Sequence, residues 1–419
     1  MGEWTLPTLA IVLVAYAGVS RRAQSSWITQ AMVFSAVGLV VGNRVLDVVE
    51  VEVSGRFLRH LAEATLALML FTDAARINPA TLRHAVRLPA RLLGLELPVT
   101  IALGTATAMV LLPDLDLWTA AVLATILAPT DAALGQPVVT DERLPSSLRQ
   151  GLNVESGLND GICVPLLIIF VTIAEASDGG GTGGLHPFRI LSEEIGLGTA
   201  AGIVAGVAGG GVLRVCGRRG WVAPSWRQIN AVAVPLLAYT VAAALGGSGF
   251  IGAFVAGIAY AAVEPQRAAE TTSLAEGAGE LLDALTFLLF GAVLLGPALE
   301  VLDWRTLVYA VLSLTVIRMV PVALALIGTG LRPVTILFLG WFGPRGLASI
   351  VFVLLLVEES ELDGAASVLT VVVVTVALSV LLHGVTSWPG VGRYASWYDA
   401  HGEPYLAEVV PVSPSRRRA

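Results

Sequence analysis

NVESGLNDGI, residues 153–162, lies within one of the longest apolar runs of this chain. The stretch carries two acids, Glu155 and Asp160, together with Ser156 and Asn159. A charged group in the middle of a membrane costs about 2.5–3.5 kcal/mol on insertion scales, so each of these acids requires a partner or a function. On a helix, Glu155 and Asn159 share one face, and Ser156 and Asp160 share the neighbouring face.

The composition of the whole chain places this stretch in a membrane. Of the 419 residues, 55% are hydrophobic and 14% are charged, whereas soluble domains carry about 25% charge. A membrane-spanning helix needs about 20 mostly apolar residues. Thirteen segments meet this need, and the sequence therefore predicts an all-α polytopic membrane protein; the first and ninth are short, so twelve spans is the alternative. They are 5–20, 27–45, 57–75, 89–112, 117–134, 148–174, 190–213, 229–246, 249–263, 279–297, 304–328, 334–357 and 364–386.

The distribution of basic residues predicts the orientation in the membrane. All 25 are arginine; 18 lie in the connections after the odd-numbered segments and in the C-terminal tail, and five lie in the opposite loops. Because cytoplasmic loops are rich in basic residues, we expect the N-terminus outside and the C-terminus in the cytoplasm. Residues 1–388 are expected to form the membrane domain and residues 389–419 a cytoplasmic tail. The expected location is the inner or plasma membrane of a bacterium.

Two of the apolar segments are interrupted in the same way. The fifth, WTAAVLATILAPTDAALG, contains Pro129, and the twelfth contains Gly343, Pro344 and Gly346. Proline removes a backbone donor and glycine loosens a helix, so both segments are expected to unwind within the membrane. They are seven segments apart and therefore run in opposite directions. Paired broken helices of opposite orientation indicate an inverted-repeat secondary transporter.

Polar residues cluster at these interruptions. Thr130 and Asp131 follow Pro129 directly, and Arg345 follows Pro344. Carboxylate, hydroxyl and carbonyl oxygens suit a small hard cation, so Asp160, Asp131, Ser156 and Thr130 are candidate ligands. The alternative is structural: the two acids would be hydrogen-bonded within the bundle, and the hydroxyls would bond to their own helices.

The remaining intramembrane charges have predicted partners. Glu155 and Arg345 are expected to form a structural ion pair, and Arg318 to be the partner of a buried acid or a helix end. Asp73 either belongs to the site or is neutralised by Arg76 at the cytoplasmic end of its segment. Two further acids are expected at the membrane interface: Glu96 and Asp283.

Together, APTDAAL (128–134), NVESGLNDG (153–161) and GPRGLAS (343–349) resemble the cation/proton antiporter superfamily. The resemblance is greatest to its NhaP-type branch, which includes the animal sodium/proton exchangers. It implies an inverted repeat in which segments 5 and 12 cross. It also implies a core of residues 89–174 and 304–386, and a dimerisation scaffold of residues 5–75 and 190–297.

The resemblance also implies roles for individual residues. Asp160 carries the ion or the proton, while Asp131, Ser156 and the Thr130 carbonyl complete the cation site. Asp73 loosely matches an acid that reaches the ion through water. The site is oriented by Glu155, Arg345, Arg318 and Asn159. Asn159 stands where electrogenic relatives carry a second acid, which implies electroneutral exchange of one Na⁺ or Li⁺ for one proton. The implied partners are the cation, the proton, the bilayer and a second copy, with no cofactor and no nucleic acid.

Three other functions remain open at this point. The same fold could exchange K⁺ for protons, or the protein could be a passive channel. A third reading is an intramembrane aspartyl protease, because GLND (157–160) and PAL (297–299) superficially resemble motifs of such proteases. However, Asn159 stands where the protease motif needs glycine, PAL falls at the end of a segment, and thirteen spans are too many. Antiport is therefore the favoured function.

Overall fold

The computed structural model describes residues 5–24, 26–42, 55–76, 87–131, 134–178, 187–263, 268–359 and 362–402, and every regular element within these ranges is helical. The first half of the chain contains α1 (Thr5–Gln24), α2 (Gln30–Val41), α3 (Gly55–Arg76), α4 (Arg87–Arg91), a π-helical turn (Leu92–Glu96), α5 (Leu97–Leu111), α6 (Leu117–Ile126), α7 (Gln136–Thr140), α8 (Ser146–Asp178) and α9 (Pro187–Arg218).

The second half has the same character. It contains α10 (Pro224–Ala244), α11 (Gly249–Val263), α12 (Ala268–Leu289), a π-helical turn (Phe290–Leu295), α13 (Gly296–Glu300), α14 (Trp304–Leu314), α15 (Val316–Ala325), α16 (Pro333–Trp341), α17 (Leu347–Glu359) and α18 (Ala365–His401). The predicted all-α fold class is therefore confirmed for the described residues.

Six helical stretches in the described part of the chain are long and apolar enough to cross a membrane on their own. They are Leu88–Leu111, Ser146–Ser177, Ser192–Arg218, Thr271–Glu300, Trp304–Ala325 and Ala365–His401. Each of the other predicted segments also contains helix, but in a shorter or more polar form. The number of spans remains a prediction.

The two predicted interruptions are present. Helix α6 ends at Ile126 and helix resumes at Gln136, while α16 ends at Trp341 and helix resumes at Leu347. Pro129 and Pro344 have no N–H to donate to the carbonyl four residues earlier, which weakens the helix at each proline and favours a break there. The chain therefore exposes unpaired backbone groups in the interior of the bundle.

The helices differ from the predicted segments in two places. Segment 11 breaks at Thr315, whose backbone angles of φ −114° and ψ −91° lie outside the helical region. Segment 13 does not end near residue 386, because α18 continues through Pro389 to His401. Tyr394 stacks on Phe338 of α16 with ring centroids 4.3 Å apart, and this packing supports the extension. The rest of the predicted tail, from residue 403, lies outside the described residues.

Small residues allow α9 and α11 to approach closely. Gly198, Gly202 and Gly206 recur every four residues along α9, and a Cβ at any of them would overlap backbone atoms of the chain at Ser248, Gly252 or Ala256. Close backbone approach through such a stripe is a common way to pack helices within a bilayer, where the hydrophobic effect does not drive association. Helix α11 also packs against α3 and α10.

Candidate functional site

The two interruptions contact each other, and each satisfies backbone groups that the other leaves unpaired. The Asp131 N–H donates to the Pro344 carbonyl at 2.7 Å, and the Leu347 N–H donates to Asp131 Oδ2 at 3.0 Å. Arg345 Nη1 donates to the carbonyls of Ala128 and Pro129, just after the end of α6. A guanidinium at this position also complements the negative end of the α6 dipole.

Helix α8 contacts the first interruption through residues 153–162. Ser156 Oγ donates to the Thr130 carbonyl at 2.6 Å, and Asn159 Nδ2 donates to Thr130 Oγ1 at 2.8 Å. Asn159 Nδ2 also lies 3.2 Å from Glu155 Oε1, to which it donates. All of these side chains are buried, so their hydrogen bonds are made away from water. The structure thus brings together Thr130, Ser156, Asn159 and Glu155.

Asp160 stands apart from this network. Its Oδ1 is shielded from solvent and accepts no hydrogen bond from any described residue. Its electrostatic neighbours are other acids, namely Asp131, Asp73 and Glu155. Carboxylates this close cannot all stay ionised without a counter-ion or a proton. The surroundings of Asp160 can therefore accept positive charge.

Asp73 reaches this region from a different helix. It lies on α3 against Gly157 of α8, where an added Cβ would be 3.3 Å from the Asp73 Cβ. Gly157 precedes Asp160 by nearly one helical turn, so the two acids belong to the same part of the interior. The alternative, neutralisation by Arg76, involves a side chain that the structure does not describe, so the role of Asp73 stays a prediction.

A small cavity adjoins the site. Its volume is about 10 Å³, close to the space that one water molecule needs. Polar atoms of Thr130, Asp131, Ser156 and Glu155 contribute to its lining, while Phe342 belongs to its apolar wall. Among the described residues, no group of three or more His, Cys, Asp or Glu side chains is arranged to hold a metal ion. Hydroxyl and carbonyl oxygens would therefore have to complete a cation site.

The predicted Glu155–Arg345 ion pair is wrong. Glu155 pairs with Arg318, whose Nη2 lies 3.0 Å from Glu155 Oε1, while Arg318 Nη1 lies 2.7 Å from Glu96 Oε1. Arg345 instead donates from Nη1 to the carbonyls after α6. Arg318 was predicted to contact a buried acid or a helix end, and it contacts two buried acids.

The two acids predicted to be interfacial are buried instead. Glu96 is 2% exposed and also accepts a hydrogen bond from Thr100 Oγ1 at 2.7 Å. Helix begins at Arg87, which places Glu96 more than two turns inside the bundle. Asp283 of α12 is 8% exposed, and its Oδ1 has no hydrogen-bond partner in the described part of the chain. For both residues, the sequence showed an acid inside an apolar run. The prediction placed that acid too near the end of its membrane segment.

The comparisons with known proteins agree with this fold. A family model described as the transmembrane sodium/hydrogen exchanger matches residues 9–390. The chain therefore belongs to the sodium/hydrogen exchanger family, a family of membrane transporters and not of enzymes.

Individual relatives are distant. The fold matches that of the sodium proton antiporter MjNhaP1 from Methanocaldococcus jannaschii at pH 8, with a TM-score of 0.77, 17% identity, and coverage of 92% of this chain and 98% of that one. An uncharacterised Na⁺/H⁺ exchanger from Mycobacterium bovis is 29% identical over 48% of this chain and 34% of its own length. A protein of Schizosaccharomyces pombe named a probable Na⁺/H⁺ antiporter is 24% identical over 80% of this chain and 46% of its own. The matches thus span a third to about half of these curated relatives.

Proposed function

We propose that this protein exchanges Na⁺ or Li⁺ for a proton across the membrane, and that the two ions compete at Asp160. The observation that carries the proposal is the buried Oδ1 of Asp160, which has no hydrogen-bond partner among the described residues and whose electrostatic neighbours are Asp131, Asp73 and Glu155. Either a proton or a cation neutralises this group, and the presence of one excludes the other. Asp131, Ser156 and the Thr130 carbonyl are the proposed further cation ligands.

The stoichiometry is proposed to be one cation for one proton. Asn159 stands one position before Asp160, and its amide is hydrogen-bonded to Thr130 and Glu155. An amide adds no titratable charge, so a single acid on this turn of α8 changes its charge in each cycle. Exchange on this basis moves no net charge across the membrane.

Alternating access is proposed to arise from movement of a core, residues 89–174 and 304–386, against a scaffold, residues 5–75 and 190–297. Asp73 belongs to the scaffold and lies against α8 of the core, so such movement would change the surroundings of Asp160. We also infer a homodimer joined through the scaffold. Exposed apolar side chains on the scaffold, such as Val14 and Val204, supply a surface for lipid or for a second copy.

The test is dissipation of a pH gradient in proteoliposomes on addition of Na⁺, Li⁺ or K⁺ in turn. We expect responses to Na⁺ or Li⁺, and we expect Asp160→Asn to abolish them while the protein still folds. The matched control is Asp399→Asn, which changes an exposed acid near the end of α18 and should retain activity. Full activity of Asp160→Asn would overturn the assignment.

The same vesicles separate the remaining alternatives. A response to K⁺ alone would replace the proposed cation by potassium. Cation flux that is indifferent to an opposing pH gradient would indicate a passive channel. Finally, a transport rate that rises with an imposed membrane potential would contradict the one-for-one stoichiometry inferred from Asn159.

A further inference from the structure

Ser379 and His383 form a polar pair one turn apart in α18, and both are buried. Neither side chain lines the cavity at the proposed cation site. Both contact the interruption between α16 and α17 instead. Such an interruption leaves carbonyls at the end of one helix and N–H groups at the start of the next without intrahelical partners.

The pair binds both ends of that interruption. His383 Nε2 lies 2.9 Å from the Trp341 carbonyl, to which the ring donates in its Nε2–H tautomer. Ser379 Oγ accepts the Arg345 N–H at 2.7 Å and lies 3.2 Å from His383 Nδ1. Nδ1 is also 3.0 Å from the carbonyl of Ser379. We assign the proton of the neutral ring to Nε2, so that Nδ1 accepts from Ser379 Oγ.

The backbone between these two contacts is tightly turned. The Gly343 N–H donates to the Trp341 carbonyl at 2.9 Å, and Phe342 between them has φ −84° and ψ 64°. These angles define an inverse γ-turn. The imidazole of His383 therefore caps the same carbonyl that closes the turn, and its ring centroid lies 5.3 Å from that of Trp341.

This stretch of backbone also holds Asp131. The Pro344 carbonyl accepts the Asp131 N–H, and the Leu347 N–H donates to the Asp131 carboxylate. The two contacts lie on either side of Arg345, whose own N–H is bound by Ser379. Displacing Trp341 or Arg345 would therefore displace the groups that orient Asp131.

We propose that Ser379 and His383 are positioning residues for cation binding: they clasp the α16–α17 interruption and through it hold the Asp131 carboxylate in place. They do not touch the ion. The inference rests on the proposed function, because it assigns the clasp to the same cation site.

The first test is the apparent KM for the transported cation in proteoliposomes. His383→Leu and Ser379→Ala should each raise it about three- to tenfold, the effect of losing about one net hydrogen bond, with a smaller change in the maximal rate. His383→Gln keeps an N–H that can reach the Trp341 carbonyl and should restore most of the affinity. The matched control is Ser387→Ala, because Ser387 is buried in the same helix but donates to the Gly384 carbonyl of that helix.

Three results would overturn the proposal: an unchanged KM in His383→Leu and Ser379→Ala, an equal rise in Ser387→Ala, or no recovery in His383→Gln. If His383→Leu fails to fold, Ser379→Ala decides the question, since it removes a single hydroxyl.

A second measurement does not depend on transport. Amide hydrogen exchange of residues 342–350 should be about tenfold faster in Ser379→Ala than in the unaltered protein, because local opening becomes easier, and unchanged in Ser387→Ala. If the unaltered protein transports no cation but exchange is accelerated, the proposed function fails while the clasp stands. Unchanged exchange would refute the clasp itself.

Discussion

Two arginines lie inside the apolar segments, and their surroundings differ. Arg318 bridges Glu96 and Glu155, whereas Arg345 donates to the carbonyls of Ala128 and Pro129. Arg318 thus offsets two buried acids, and Arg345 satisfies a helix end. Both are fully buried, so these contacts replace the hydration that each guanidinium loses.

Arg318→Met should destabilise the protein by about 3–5 kcal/mol, because it leaves two buried acids without a counter-charge. The measurement is the thermal unfolding midpoint in detergent. Neutralising the acids in Arg318→Met/Glu96→Gln/Glu155→Gln should recover part of the loss. As a control, Arg143→Met removes an exposed partner of Asp141 and should leave the midpoint unchanged. A triple variant no more stable than Arg318→Met would contradict the pairing.

The interruption in segment 12 depends on glycine at two positions where its backbone passes close to site residues. A Cβ at Gly346 would overlap the Asp131 carboxylate, and a Cβ at Gly343 would overlap the guanidinium of Arg318. The need for glycine here is therefore one of space. It links the second interruption to both the proposed cation site and the buried ion pairs.

Gly346→Ala should lower cation-dependent proton movement about tenfold or more, because Asp131 must shift to admit the methyl group. The assay is the proteoliposome pH-gradient measurement, normalised to folded protein by size-exclusion chromatography. Gly211→Ala is the matched control, since a Cβ there meets nothing within 4 Å. Equal activity of the two variants would show that the space at Gly346 is not required.

The predicted orientation of the molecule rests on charge alone. The predicted cytoplasmic side holds 18 of the 25 arginines and the opposite loops hold five. In a background of Cys163→Ala and Cys216→Ala, an impermeant maleimide applied to intact cells should label Arg305→Cys. It should label Arg219→Cys only after permeabilisation. The reverse labelling pattern would invert the predicted topology.

Features that depend on neighbouring residues could be predicted from the sequence. Contacts between residues far apart in the chain could not. The interruptions follow from Pro129 and Pro344, and the shared faces of Glu155, Ser156 and Asp160 follow from helical spacing. The partner of Glu155 did not follow, because two arginines were available and each lies more than 150 residues away in the chain. The clasp of Ser379 and His383 was missed for the same reason, although their spacing of four residues in an apolar helix was a signal.

Composition, periodicity and a few local motifs were enough to determine a helical membrane protein of this family with two interrupted helices. These properties depend on the cost of burying polar backbone in a bilayer and on proline geometry, both of which act locally. Only the packed structure decided that Arg318 pairs with Glu155 and Glu96, that Glu96 and Asp283 are buried, and that α18 forms hydrogen bonds to the second interruption. Those outcomes depend on which distant side chains reach the same point in space, and hydrogen-bond geometry over a few ångströms selects among partners that the chain order leaves equivalent.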